Sequence, residues 1–138
     1  MPARASENIA VQMPLVTLEF GATDIPDAAG NAFTVQPASL EFVMPYDGSV
    51  IGIGVASNAA FTTGVLTFQP TVNGTAQTGL QAVLSSTAQR ATAKKDAGTV
   101  TFKAGERLGV SWTKTGTVAP LTNDVSIALY ILLEGVVP

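Results

Sequence analysis

The sequence contains neither histidine nor cysteine. Without histidine, a Ser–His–Asp or Cys–His nucleophilic site has no base, and the commonest zinc ligands are missing with it. Without cysteine there is no disulfide, so the fold must stand on its core and needs no oxidising compartment. Charge is scarce as well. Charged residues make up 12% of the 138 positions, about half the quarter usual for soluble domains. The net charge of −3 speaks against nucleic acid as a partner, because phosphate binding takes dense Lys and Arg to displace counterions. No apolar run reaches the length of a membrane span, and residues 1–14 lack the apolar stretch of a secretory signal. Neither a membrane partner nor export is expected. No Gly-x-Gly opens a helix, since Gly52-Ile53-Gly54 sits in a strand pattern, so no phosphate loop is present. These absences point to a structural or binding protein, not an enzyme, and to no cofactor.

What remains is apolar and β-forming. Hydrophobic residues make up 46% of the chain, with 13 Gly and 8 Pro. Abundant Thr and Val favour a pleated sheet over a helix. A length of 138 residues suits one domain with a full core. Residues 1–14 are aperiodic, with Pro2 and Pro14 near the ends, and read as an N-terminal arm. From 15 onward, residues alternate. Val16, Leu18 and Phe20 share one face of a first strand. Residues 32–35 and 40–44 are short strands. Asp47-Gly48 is a turn, followed by a strand over 49–56 with Ile51, Ile53 and Val55 on one face and Gly52 and Gly54 on the other. Two glycines on one face imply close approach by a backbone or a bulky side chain.

Downstream, Leu66, Phe68 and Val72 point inward from a strand over 65–72, where Pro70 implies an edge or a bulge. Asn73-Gly74 predicts a hairpin turn, because both residues tolerate positive φ. Residues 80–84 form the return strand, 85–97 is small and polar with room for one short strand, and 99–102 alternates again. Leu108, Val110 and Trp112 line one face of a strand over 107–113, with 116–120 as a loop. The longest predicted strand is 124–134. Val125, Ile127, Leu129, Ile131 and Leu133 form one face, while Ala128, Tyr130 and Leu132 make the second half apolar on the other. A doubly apolar strand is central or buried in a subunit contact. Many short strands and no helical period indicate an all-β, single-domain antiparallel β-sandwich or jelly roll spanning 15–138.

Few residues carry chemistry. Asp24 and Asp27, with Asn31, would supply an acid–base pair or calcium oxygens, or merely shape turns around Pro26; turn formation is the favoured reading. Asn73-Gly74-Thr75 matches a glycosylation sequon, but the hairpin explains it better. Trp112, Tyr46 and Tyr130 are aromatics able to stack on sugars, although Trp112 shares its face with Leu108 and Val110 and so reads as core. Arg90, Lys94 and Lys95 form the one basic cluster, read as a solvated loop in preference to the alternative of a partner-binding patch.

Three segments carry a family resemblance. Phe42-Val43-Met44-Pro45-Tyr46-Asp47-Gly48-Ser49-Val50-Ile51-Gly52-Ile53 resembles the entry to an inner strand of the C1q and tumour-necrosis-factor jelly roll. Phe102-Lys103-Ala104-Gly105-Glu106-Arg107-Leu108-Gly109-Val110 resembles a hairpin of that family, with Glu106 where Asp is usual. The closing strand, 125–133, completes the match. The same phrases are similar to small jelly-roll proteins of tailed bacteriophages, which decorate capsids or form head fibres and spike tips. That resemblance implies a homotrimer located on the virion exterior, made in the host cytoplasm and bound to the major capsid protein. No collagen-like or heptad stalk precedes the domain, which favours a compact capsid decoration (cement) protein over a receptor- or glycan-binding fibre tip; a carbohydrate-enzyme accessory domain is a third alternative. On this reading Gly52, Gly54, Tyr130 and Leu132 meet neighbouring subunits, and Ile9, Val11 and Met13 of the arm attach to the capsid.

Overall fold

The computed structural model describes residues 15–22, 33–34 and 41–134. All secondary structure among them is strand: β1 (Leu15–Ala22), β2 (Phe33–Thr34), β3 (Phe42–Val43), β4 (Gly48–Ser57), β5 (Thr63–Val72), β6 (Thr75–Ala76), β7 (Ala82–Leu84), β8 (Arg90–Lys94), β9 (Thr101–Phe102), β10 (Arg107–Ala119) and β11 (Val125–Leu133). Two antiparallel sheets result. The first runs β1-β11-β4-β8, with β9 beside β8 along the same edge of β4. The second runs β2-β10-β5-β6, with β3 also on β10 and β7 also on β5.

Three edge strands are therefore broken in two: β2 with β3, β6 with β7, and β8 with β9. Counting each broken pair as one run leaves eight, ordered 1-8-3-6 in one sheet and 2-7-4-5 in the other. Successive runs cross between the sheets except 4 and 5, which pair as neighbours in the second; this is the jelly-roll arrangement. Alternate residues of the longer strands face the space between the sheets and fill it. Ile53 and Val55 of β4 meet Ile127, Leu129 and Ile131 of β11 there, opposite Phe68, Leu108, Val110 and Trp112 of the second sheet, all buried. Trp112 packs on Phe68 with ring centroids 5.0 Å apart and is fully buried, as its position beside Leu108 and Val110 implied.

Several strands differ from their sequence reading, each for a local reason. A bulge in β4, where the pairing with β11 shifts between Tyr130 and Ile131, turns Val50 into the core and leaves Ile51 half-exposed. Ile51 therefore does not share a face with Ile53 and Val55; one extra residue inverts the alternation. Pro70 lies in an interior strand, not at an edge. It is tolerated because its partners on that side, β6 and β7, are separate pieces, and the Pro70 carbonyl there accepts from the Gln77 N–H at 2.8 Å. A missing N–H at such a gap costs no ladder bond. Residues 116–119 are strand instead of loop. Gly116 takes φ of 74° at the irregularity in β10, after which Ala119 pairs with Thr63. β10, with 13 residues, is consequently longer than β11, with nine. β11 is central, flanked by β1 and β4.

Candidate functional site

Residues directly opposite one another in an antiparallel pair share a face. The pairing register thus writes out the solvent side of the first sheet in rows. Leu15, Leu132 and Ser49 form the first, and Thr17, Tyr130, Gly52 and Lys94 the second. Glu19, Ala128, Gly54 and Thr92 form the third, and Gly21, Ser126, Ala56 and Arg90 the fourth. The middle of this face is built of small or apolar residues and its two edges carry the charge.

Gly52, Gly54, Tyr130 and Leu132 are brought together here. The glycines are explained within the chain. A Cβ on Gly52 would sit 3.2 Å from Tyr130 Cδ2, and one on Gly54 would sit 3.7 Å from both Cε2 and Oη. The Tyr130 ring therefore lies along β4 over both glycines, and the bulky group expected to approach them is this tyrosine. Its opposite face stays open, with 40% of the residue exposed. Leu132 is half-buried beside it, and Leu15 is 63% exposed.

Tyr130 stands between two depressions. One, of about 510 Å³, has Gly54, Ala56 and Ala128 on its floor, with Glu19 on one side and Arg90 and Thr92 on the other. The second, of about 670 Å³, is bordered by Leu15, Ile51 and Lys94 over Gly52. Arg90 and Lys94 thus belong to a strand, not to a loop. β8 is a short edge strand carrying a cation at each end, a device that discourages unwanted strand pairing. Lys95 follows it, exposed, with its N–H bonded to the Ile51 carbonyl at 3.0 Å. Sequence reading missed Glu19, Thr92 and Arg90 as members of this surface. The signal was present only as opposite charge on two alternating strands, and their neighbourhood depends on which strands form the two edges.

The remaining candidates separate. Tyr46 is 44% exposed at the bend before β4 and lines neither depression beside Tyr130. Asn73 does not read as a modification site. It takes φ of 51° in the β5–β6 turn, gives Nδ2 to Glu106 Oε2 at 2.7 Å and accepts the Arg107 N–H at 3.0 Å. Asp24, Asp27 and Asn31 lie outside the described residues, as do Ile9, Val11 and Met13 of the arm. Among the described residues no three His, Cys, Asp or Glu side chains cluster to hold a metal. The surface has an aromatic and aliphatic centre with acid on one edge and base on the other.

No protein-family model and no curated protein matches the sequence. Solved structures do resemble the fold. The chain superposes with a TM-score of 0.60 and 14% identity on a chain of the capsid of Ralstonia phage GP4, covering 89% of this chain and 86% of that one. For the acid-stable capsid of Helicobacter pylori bacteriophage KHP30 the values are 0.52 and 9%, over 91% and 97%. For the capsid asymmetric unit of cyanophage Pam1 they are 0.50 and 17%, over 89% and 87%. At such identities the likeness is one of fold.

Proposed function

We propose that this chain is a structural protein of a bacteriophage virion, a decoration protein that binds the outside of the head and reinforces it. The observation that carries the reading is the near full-length superposition on chains from three phage capsids, together with a face whose exposed centre is apolar. Decoration works by interfacial burial. A subunit that bridges neighbouring shell proteins binds only the assembled lattice and stabilises it by mass action. The protein acts as a homotrimer, with Leu132 and Tyr130, whose ring covers Gly52 and Gly54, at the subunit contact. Residues 1–14 serve as the arm that attaches to the major capsid protein through Ile9, Val11 and Met13.

Adding the purified protein to undecorated heads, followed by cryo-electron microscopy, tests this. Ordered density on the outer surface and greater resistance of the heads to heat are expected. Absence of binding at micromolar concentration sinks the decoration role. The second reading, a glycan-binding tip of a fibre or spike, is favoured by the exposed rings of Tyr46 and Tyr130, because flat aromatic faces stack on sugars. Binding to a glycan array that is lost in Tyr130→Ala, without binding to heads, would select it.

A further inference from the structure

We infer that neighbouring copies of this chain meet head to tail through the two opposite edges of the first sheet, with Glu19 of one copy set between Arg90 and Lys94 of the next. This deepens the self-association proposed above and rests on it. Every pairing in β1-β11-β4-β8 is antiparallel, so β1 and β8 run in opposite directions. Placed beside β8 of a second copy, β1 is antiparallel to it, the orientation in which the rows continue across the junction. Glu19 belongs to the Thr92 row, and Arg90 and Lys94 are the same-face neighbours two residues either side of Thr92. Diagonal neighbours of this kind lie roughly 7–8 Å apart at the backbone, within reach of long side chains.

Within one copy the same groups sit at opposite edges, three strand spacings or roughly 14 Å apart. All three are exposed, and neither the Lys103–Asp47 nor the Arg107–Glu41 ion pair involves them. The acid and the two bases therefore remain available to a neighbour. Apolar surface accompanies the charge. Leu15 of β1, 63% exposed, borders the same depression as Ile51, Gly52, Tyr130 and Lys94, so apolar surface runs from one edge to the other. Charge sets register and excludes the alternative β1-to-β1 and β8-to-β8 contacts, which oppose like charges. A contact between unlike edges is heterologous and closes into a ring when the rotation permits. A trimer is such a ring.

Sedimentation velocity at micromolar concentration tests the contact with Glu19→Arg, the pair Arg90→Glu with Lys94→Glu, and all three changes in one chain. The native protein should be trimeric and loosen as salt rises. Each single-edge reversal should weaken association about tenfold or more, since it sets like charges across the junction, and the combined reversal should restore the trimer. The milder Glu19→Gln and Arg90→Gln, with circular dichroism of every variant, guard against misfolding. A native trimer indifferent to all reversals overturns this contact and leaves self-association standing. A native monomer overturns both. A monomer whose binding to phage heads is abolished by the reversals assigns the edges to the shell protein and overturns the contact between copies.

Discussion

Thr87 has φ of 71°, a left-handed backbone on a β-branched residue. That conformation crowds Cβ against the following carbonyl and costs about 1–2 kcal/mol. The loop keeps it there through a 2.6 Å bond from the Thr87 N–H to the Phe61 carbonyl. Thr87→Gly retains the bond and removes the clash, against roughly 0.5–1 kcal/mol of added chain entropy in the unfolded state. A stabilisation of roughly 0.5–1 kcal/mol is expected, read from the urea midpoint; a lower midpoint would mean that the Thr87 side chain contributes packing. Nothing in the small, polar run 85–89 marks this position, whereas Asn73 and Gly74, at 51° and 82°, were legible because those residue types tolerate positive φ. Trp112 was legible through its alternation with Leu108 and Val110. Trp112→Ala should cost about 3–5 kcal/mol, the usual range for truncating a buried aromatic. An unchanged midpoint with lost binding to heads or sugar would move Trp112 from the core to a site.

At the scale of elements, the β5–β6 hairpin turn is joined to the β9–β10 turn, which crosses between the sheets. Asn73, in the β5–β6 turn, bonds Glu106 and Arg107 through its side chain and gives its own N–H to the Arg107 carbonyl at 2.8 Å. Glu106 also accepts the Lys103 N–H at 2.6 Å, closing the β9–β10 turn. Asn73→Gly keeps the backbone conformation and loses only the side-chain bonds, about 1 kcal/mol. Asn73→Ala loses the bonds and adds left-handed strain, so it should fall about 1 kcal/mol further. Equal losses in thermal or urea unfolding would show that the side-chain bonds, not the turn conformation, dominate. Alternation located most strands but not their interruptions. The β4 bulge inverts Val50 and Ile51 through a pairing with β11, distant in sequence. The extension of β10 past Gly116 depends on the carbonyls of Thr117 and Ala119 receiving the Thr63 and Thr62 hydroxyls at 2.8 and 3.2 Å. Neither partner is visible from the strand itself.

For the whole molecule, class and the position of most strands follow from local pattern, while the order 1-8-3-6 and 2-7-4-5 is set by which buried faces fit across the sandwich. That order also decides the candidate surface. Tyr130 and the glycines could be grouped from β4 and β11 alone, but Glu19, Arg90 and Lys94 join them only because β1 and β8 are the edges. The same closure bears on the arm. The buried core among the described residues runs from Phe20 to Leu133, and β1 begins at Leu15 with all eight of its residues paired to β11. The described strands pair with one another in both sheets. An arm that orders only on a shell would bind at an entropic cost offset by new burial. Deleting residues 2–13 should therefore leave melting temperature and oligomeric state nearly unchanged, while affinity for phage heads falls. Scanning calorimetry, sedimentation and a head-binding titration on the same preparation check all three. Should Ile9, Val11 and Met13 instead extend the open edge of β1 as an added strand, the deletion would lower the melting temperature by many degrees, and the separable arm would be refuted.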